Sequence, residues 1–318
     1  MSDNFTRVDL KAAKIRREDR VFFGIARAAA MFSLVTVLLI FVYLAYRSQN
    51  TFRTQGFSFI TGSTWDSNEG TYQLAPMLIG SLVIALIALV IAIPSSIAVA
   101  YFIEFMAPLR LKKIATTIVD LLAAMPSIII GLWGMYVFSP TAEGWAKLLN
   151  QHFGVIPLFE NTTGNFLRSP FIGGWILAIM MIPIITSVSR EVMSRVDKEL
   201  INAATALGAN EFATARRVIV PTAKGGILGG ILLGLGRGIG ETIAILYTLN
   251  LIFEINILHP LENKGGAVAS LIAARFGEAP DDEISALLAA GVVLFLLTLI
   301  VNMIASGIVQ RAEKRMAS

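Results

Sequence analysis

Residues 234–242 read Gly-Leu-Gly-Arg-Gly-Ile-Gly-Glu-Thr and place an arginine and a glutamate inside a long apolar run, roughly Gly226 to Phe253. If this run crosses a membrane, each charge costs on the order of 3 kcal/mol or more at the bilayer centre. Arg237 and Glu241 are four residues apart, so on one continuous helix they share a face and can meet the same partner. A pair this costly predicts a function for the two side chains.

The composition of the whole chain is that of a membrane protein. Of the 318 residues, 55% are hydrophobic and only 15% are charged, whereas soluble domains carry about 25% charged residues. The absence of cysteine excludes disulfides and thiolate chemistry, and the two histidines, His152 and His259, lie far apart. We therefore expect no metal site and no cofactor on this chain. We also expect no nucleic-acid partner, because no basic patch is interleaved with aromatic residues.

Six apolar runs are long enough to cross a bilayer, which takes about 20 helical residues. They cover approximately residues 28–46, 76–103, 115–138, 171–189, 226–253 and 284–309. The first run is too long for a signal peptide and has no convincing cleavage site, so we expect it to stay in the protein. The sequence predicts an all-α polytopic membrane protein with an N-terminal segment 1–27, a six-span domain 28–310 and a tail 311–318.

The distribution of basic residues predicts the topology. If Arg27, at the inner edge of the first run, is left out, the two terminal segments and the connections after the second and fourth runs hold 18 Lys and Arg residues. The other three connections hold 6. By the positive-inside rule, both termini face the cytoplasm. The connections 47–75, 139–170 and 254–283 then lie outside.

The longest cytoplasmic connection, residues 190–225, predicts a helix–turn–helix elbow. Residues 199–207 are good helix formers, and Gly208 can take the positive φ that ends a helix. Asn210 can cap a second helix, with Glu211 in its favourable first turn. We expect this second helix to stop before Pro221.

The elbow resembles the coupling motif of ABC importer permeases. The resemblance lies in Ala203-Ala204-x-x-x-Gly208, followed after nine residues by Val218-x-Val220-Pro221. In that family the elbow docks into a groove on a cytoplasmic ATPase. The resemblance implies these coupling residues: Asn202, Ala203, Ala204, Gly208, Ala209, Asn210 and Pro221. The family usually has Glu at the first position, so Asn202 removes a charge that could pair with the ATPase.

A narrower resemblance points to cargo. Leu121–Gly134, Leu232–Thr242 and the six-span plan are similar to phosphate importer permeases of the PstC type, from the first span to the last. This implies a type I ABC importer permease fold in a bacterial plasma (inner) membrane, and translocation of inorganic phosphate into the cytoplasm. It also implies three partners: a second permease (PstA-like), an ATPase dimer (PstB-like) and an external phosphate-binding protein (PstS-like).

The chemistry of the opening stretch suits an anion. Arg237 lies 11 residues beyond Gly226, which is about 16 Å along a helix and near the midplane of the bilayer. Its guanidinium offers a planar donor fork for phosphate oxygens, and Glu241 would neutralise it when no anion is bound. The alternative is an Arg–Glu pair that locks the bundle without touching cargo. Arg237, Glu241 and Thr242 are the candidate pathway or gate residues.

Other positions in the spans have plainer expected roles. Asp120 should pair with a cytoplasmic Lys or Arg at the membrane interface, and a pathway role is its alternative. Pro126 and Ser127 could free polar groups for the pathway, but packing is the main expectation. Close helix approach is the main expectation for the seven glycines at 226, 229, 230, 234, 236, 238 and 240, with a conduit lining as the alternative.

The chain lacks the sequence G-x-x-x-x-G-K-[ST], so ATP hydrolysis is expected on another subunit and this chain is not an enzyme. Two classes of function remain, the membrane subunit of an ATP-driven phosphate importer and a gated anion channel or secondary carrier. The elbow favours the importer, because a channel needs no docking hairpin. Within that class, the runner-up is a permease for sulfate or molybdate.

Overall fold

The structure is a computed structural model that describes the backbone of residues 17–317 and the side chains of residues 21–307. Residues 1–16 of the N-terminal segment and Ser318 of the tail lie outside these limits. The described chain is helical apart from its connections and one small hairpin. Its first elements are α1 (Arg17–Arg47), α2 (Gln49–Gln55), α3 (Ser58–Thr61), the antiparallel strands β1 (Trp65–Asp66) and β2 (Thr71–Tyr72), and α4 (Ala75–Tyr101).

The middle of the chain contains one sharply bent helix pair and one long helix. After a π-helical turn at Phe102–Met106 come α5 (Leu109–Ala124), α6 (Ser127–Trp133), a π turn (Gly134–Phe138), α7 (Ser139–Phe153), a short 3₁₀ turn (Pro157–Phe159) and α8 (Pro170–Ser194). The axis bends by 95° between α5 and the unit that α6 begins. The third predicted span, 115–138, is therefore wrong as a single helix, because Pro126 favours extended backbone at Met125 and so breaks the helix there.

The last third of the chain contains the elbow and the opening stretch. Its elements are α9 (Lys198–Ala206), α10 (Glu211–Thr214), a π turn (Ala215–Ile219), α11 (Val220–Ile239), α12 (Ile243–Thr248), α13 (Val268–Arg275) and α14 (Asp281–Ala317). The fifth predicted span, 226–253, is wrong as one helix, because the chain leaves the helix after Ile239. The tail from residue 311 continues α14 as far as Ala317.

Among the described residues, five helical stretches are long and apolar enough to cross a membrane, and the bent pair 109–124 with 127–153 can supply a sixth crossing. α8 occupies the centre of the bundle and packs against α4, α5, α11 and α12. α1 lies at the periphery against α14, where Phe41 and Phe295 have ring centroids 5.1 Å apart.

The two ends of the bundle differ in their coverage. At the loop end, defined by the connections 48–74, 154–169 and 249–280, an apolar cluster joins Phe59, Leu74, Met77, Leu271 and Leu287. At the elbow end, defined by residues 197–219, another cluster joins Ala100, Met193, Ile219, Ala223 and Ile227.

Neither internal proline ends its helix. Pro94 lies within α4 and Pro183 within α8. Near them, Ser96 Oγ donates to the Ile182 carbonyl at 3.2 Å, and Thr186 Oγ1 donates to the Ser96 carbonyl at 3.5 Å. These bonds join α4 to α8 at a depth where unsatisfied polar groups would be costly.

Four of the seven glycines hold α11 against α8. Gly226, Gly230, Gly234 and Gly238 recur every fourth residue and therefore form one stripe along the helix. An added Cβ would lie 2.8 Å from Val192 Cβ at Gly226, 3.0 Å from Val188 Cβ at Gly230, and 2.8 Å from Ile185 Cγ1 at Gly234. The expected close packing is confirmed for this stripe.

We expect Gly226→Ala to lower the stability of the detergent-solubilised chain by about 1–3 kcal/mol, since Val192 is β-branched and its Cβ cannot move without the backbone. Gly229→Ala is the matched control, because an added Cβ there meets nothing within 4 Å. Its expected effect is neutral or stabilising by up to about 1 kcal/mol. Thermal unfolding measures both variants, and equal destabilisation would contradict the packing argument.

Candidate functional site

The candidate site forms where two interrupted helices cross. The bent unit contributes α6, and the break after Ile239 contributes α12. An added Cβ at Gly131 would lie 2.8 Å from the Ala244 Cα, and one at Gly134 would lie 3.0 Å from Thr248 Cγ2. Glycine at both positions therefore allows the two half-helices to touch, and this contact covers backbone that a broken helix would expose to lipid.

Arg237 lies on the uncovered side of α11. It precedes Gly238 by one residue and is rotated about 100° away from the α8 contact at that level. Its side chain is exposed, and within residues 21–307 no carboxylate lies within 4.0 Å of its guanidinium. Leu233 and Gly240 are exposed on the same side, with Gly229 one turn closer to the elbow end. Arg237 thus projects from an uncovered helix face that also carries the exposed glycines Gly229 and Gly240, whereas Gly236 is half-buried and faces Asn302 of α14.

Glu241 does not pair with Arg237. The residue follows the end of α11, and its Oε1 accepts a hydrogen bond from the Ala244 amide at 3.3 Å, which caps α12. Its half-buried side chain borders a void of about 10 Å³ together with Ser81 and Leu177. The expectation that both charges share one helix face is wrong, because the helix ends between them.

Thr242 shapes the break between α11 and α12. Its hydroxyl donates to the Gly240 carbonyl at 3.1 Å, and its own carbonyl accepts from Ser270 Oγ at 3.4 Å. The second bond joins the break to α13. Thr242 therefore fixes the shape of the connection in which Glu241 lies.

The elbow has the predicted local structure at Gly208 and Asn210, and the structure adds a cap at Asp197. Asp197 accepts from the Glu199 amide at 2.9 Å at the start of α9. Gly208 has φ +84°, and Asn210 Oδ1 accepts from the Ala213 amide at 2.8 Å to cap α10. The Tyr101 hydroxyl donates to the Glu211 carbonyl at 3.2 Å, which fastens the elbow to the end of α4.

The second elbow helix does not stop before Pro221, and this prediction is wrong. The helical path runs from Glu211 through Pro221 to Ile239. In the π turn before the proline, the Val220 amide donates to the Ala215 carbonyl, five residues back. This wider turn shifts the hydrogen-bonding pattern ahead of a residue that has no N–H and needs space for its ring.

The elbow exposes apolar side chains at its tip. Leu200 is 49% exposed, Leu207 is 89% exposed and Phe212 is 72% exposed. The other coupling residues lie around them: Asn202, Ala203, Gly208 and Asn210 are exposed, and Ala204, Ala209 and Pro221 are half-buried. Three large apolar groups in so short a segment are typical of a surface that contacts another protein.

The secondary candidates Asp120, Pro126 and Ser127 lie on or beside α5 and α6, and not on α11 with Arg237. Asp120 is exposed on α5, and the expected ion pair with a Lys or Arg is not found within residues 21–307. Pro126 is exposed and precedes α6, while Ser127 is half-buried as its first residue. In the same part of the chain, no three Asp, Glu or His side chains converge as a metal site would require.

Two glutamates at the loop end are buried, and the sequence did not indicate a role for either. Glu283, 3% exposed, accepts from Trp65 Nε1 at 2.8 Å and from Ser67 Oγ at 2.7 Å. Glu262, 2% exposed, accepts from the Thr162 amide at 2.9 Å and lies 3.1 Å from Lys264 Nζ. Their sequence neighbourhoods are polar and loop-like, so only the tertiary structure reveals their burial.

Glu262 holds two connections together. Burial alone raises the pKa of its carboxyl, but the bonds from Thr162 and the charge of Lys264 outweigh burial, so the pKa lies below its ordinary value. The same pairing with Glu262 raises the pKa of Lys264. Asn161 Nδ2 also donates to the Leu261 carbonyl at 2.8 Å. Residues 160–163 and 259–264 thus form one rigid rim.

Comparisons with known proteins agree with this architecture. The model of the family described as binding-protein-dependent transport system inner membrane component matches residues 92–318. The phosphate transport system permease protein PstC of Xylella fastidiosa (strain 9a5c) is 34% identical over 306 residues, which cover 94% of this chain and 93% of that protein. PstC of Pasteurella multocida (strain Pm70) is 35% identical over 292 residues, 91% of each chain.

One solved structure shows the same fold at low identity. A chain of a bacterial alginate ABC transporter, crystallised with an alginate pentasaccharide-bound periplasmic protein, superposes with a TM-score of 0.62. The match is 15% identical and covers 92% of this chain and 95% of that chain.

The depressed pKa of Glu262 predicts acid lability of the rim. The carboxylate stabilises the folded rim above the ordinary carboxyl pKa of about 4.3, and this contribution is lost as the pH falls through the lower folded pKa. Hydrogen exchange of the Thr162 amide, corrected for intrinsic rates, should stay slow from neutral pH to about pH 5 and accelerate below about pH 4. Glu262→Gln should remove this pH dependence, whereas Glu254→Gln, which alters the exposed partner of Lys264, should retain it; a Glu262→Gln profile like that of the unaltered chain would contradict the assignment.

Proposed function

We propose how this chain moves its cargo, starting from the premise that it belongs to the family of binding-protein-dependent transport system inner membrane components. Its nearly full-length similarity to PstC proteins makes it the multi-pass permease subunit of a phosphate ABC importer in a bacterial inner membrane. The observation that supports a transport site at α11 is the free guanidinium of Arg237 on an uncovered helix face.

Arg237 is the proposed contact for phosphate within the membrane. An anion faces a prohibitive desolvation cost in hydrocarbon unless a fixed cation replaces its water. The guanidinium presents several N–H donors in one plane, and in this structure its charge is not neutralised by a carboxylate within the described residues. Gly229 and Gly240 leave space on the same uncovered face, which favours for these two glycines the conduit lining that was the alternative expectation.

Glu241 and Thr242 are proposed to set the geometry of the gate. In this structure they hold the start of α12 and the link to α13, not the guanidinium. Phosphate therefore meets Arg237 without first displacing a carboxylate. A rearrangement of the break would bring the Glu241 charge closer to the anion and weaken its binding, which helps cargo to leave.

The elbow is proposed to couple the gate to ATP hydrolysis on a separate subunit. Leu200, Leu207 and Phe212 would enter a groove of the ATPase, with Asn202 in the place of the usual charged residue. Since the helical path is continuous from Glu211 to Ile239, a displacement of the elbow would act on Arg237 through one rod about 40 Å long.

The proposed assembly contains a second permease subunit, an ATPase dimer and an external phosphate-binding protein. Both termini and the elbow end would face the cytoplasm, and the loop end would face outward, in keeping with the positive-inside distribution. The second permease would cover the exposed face of α11 and complete the pathway.

Uptake of radiolabelled phosphate in cells that lack the gene, with and without competing sulfate or molybdate, tests the function. Restored uptake that is insensitive to these competitors supports a phosphate importer. Transport that persists without ATP or without an ATPase partner would instead indicate a channel or secondary carrier, and strong competition would indicate a broader oxyanion permease.

Arg237→Gln should abolish phosphate uptake, with at least a hundredfold loss, while the chain still assembles, because glutamine keeps polar atoms but lacks the charge that replaces water around the anion. Uptake per assembled complex is the measurement. Arg53→Gln is the control, since Arg53 is also exposed but lies in α2 at the loop end. Normal uptake by the Arg237 variant would remove this residue from the pathway.

Gly208→Val should disrupt docking of the ATPase, because a β-branched residue is strained at φ +84°. Gly208→Asn is the matched variant, since asparagine tolerates left-handed backbone. Co-purification with the ATPase from membranes should fall roughly tenfold or more for valine and stay near the unaltered level for asparagine. Equal recovery of ATPase with both variants would show that the turn at Gly208 does not position the docking surface.

A further inference from the structure

We infer a second anion-binding station at the outer end of α12, formed by the guanidinium of Arg168 and positioned by Asn250. This inference rests on the proposed phosphate transport and extends it. The ligand class is a tetrahedral oxyanion on its way to Arg237. Four observations on the described residues support it.

The first observation is the backbone of Arg168. Its φ is +51°, and it is the one residue other than glycine with positive φ among residues 17–317. Left-handed backbone is strained for an arginine, because its Cβ approaches the following carbonyl oxygen. Such a strained backbone persists only where the surrounding contacts hold it in place, and residues of this kind cluster at functional sites.

The second observation is how the residue is held. Arg168 Nη1 donates to Asn250 Oδ1 at 3.1 Å, and the Arg168 carbonyl accepts from the Asn250 amide at 3.4 Å. Asn250 Nδ2 donates in turn to Asn263 Oδ1 at 2.9 Å, which fixes the amide. Both ends of Arg168 are therefore fastened to one residue, and the guanidinium is pre-organised.

The third observation is charge. At the loop end, Lys264 has Glu254 and Glu262 as carboxylate partners and Arg275 has Glu283, whereas within residues 21–307 neither Arg168 nor Arg53 has a carboxylate within 4.0 Å. Arg168 is exposed, and the polar groups that contact its guanidinium are the Asn250 amide oxygen and, at 3.8 Å, the Met135 thioether. Neither group is charged, so Arg168 keeps its full positive charge and several free N–H donors.

The fourth observation is position. Asn250 comes two residues after α12, and Glu241 caps the opposite end of that helix. The six residues of α12 span about 9 Å. Arg168 thus lies at the outer end of the same half-helix whose inner end borders the break next to Arg237. Two separated cations, the outer one in contact with water, let an anion enter without being trapped, as conduction through several weak sites requires.

The chain contains no cysteine, which permits a direct test by charge restoration. Arg168→Cys in the complete importer should lower phosphate uptake roughly tenfold. Treatment with a positively charged aminoethyl thiosulfonate should restore most of the uptake, and a negatively charged sulfonatoethyl thiosulfonate should not.

Two comparisons separate an anion station from a structural clamp. Arg53→Cys should respond to neither reagent, and the unaltered chain should be insensitive to both. Asn250→Asp conserves size but places a carboxylate beside the guanidinium, so it should also lower uptake about tenfold. Equal effects of the two reagents on Arg168→Cys, or normal uptake by Asn250→Asp, would overturn the station.

If the Arg168→Cys variant does not accumulate in the membrane, two further variants of Arg168 test the same inference. Arg168→Lys keeps the charge and should retain a large part of the uptake per complex, whereas Arg168→Gln should lose it. If neither variant reaches the membrane, Arg168 is a clamp and the inference is wrong. If the unaltered importer takes up no phosphate, the proposed function fails, which is a different result from normal uptake by the Arg168 variants.

Discussion

The close contact between α11 and α8 is the constraint on which the rest of the structure depends. Four glycines at four-residue spacing allow the two backbones to approach, and the side chains of α8 fill the space that their missing Cβ atoms leave. In a bilayer, lipid tails are as apolar as Leu or Val, so such close packing supplies the association that the hydrophobic effect supplies in water. The contact also fixes the rotation of α11 about its axis. With Gly238 turned toward α8, Arg237 has to face the uncovered side.

The two helix breaks follow from a second membrane constraint. A span that ends inside the bilayer leaves amides and carbonyls without partners, and each costs several kcal/mol in hydrocarbon. The half-helices that follow the break at Pro126 and the break after Ile239 are in contact, since α6 packs on α12 through Gly131 and Gly134. Glu241 supplies one further acceptor by capping α12. Each interruption thus helps to shield the other, and irregular backbone becomes tolerable next to a transport pathway.

The elbow and the loop end are built differently. One helical path runs from Glu211 to Ile239 through a π turn and a proline, so the elbow joins α11 without a break. At the loop end, buried Glu262 and Glu283 join connections that are distant in sequence. The proposed gate assigns its rearrangement to the interrupted segments α6 and α12, since the elbow and the loop end are each held by their own contacts.

The sequence by itself determined the membrane class, the approximate number of spans, the family and the local structure of the elbow. Hydrophobic run length, the cap preference of Asn210 and the positive φ of Gly208 are local properties, and local properties can be read from neighbouring residues. Only the tertiary structure decided that Glu241 caps α12 instead of pairing with Arg237. The same holds for the division of the seven glycines into packing and uncovered positions, for the continuous helix through Pro221, and for the burial of Glu262. These features depend on which surfaces meet in space, and residue spacing along the chain does not specify which helix covers which face.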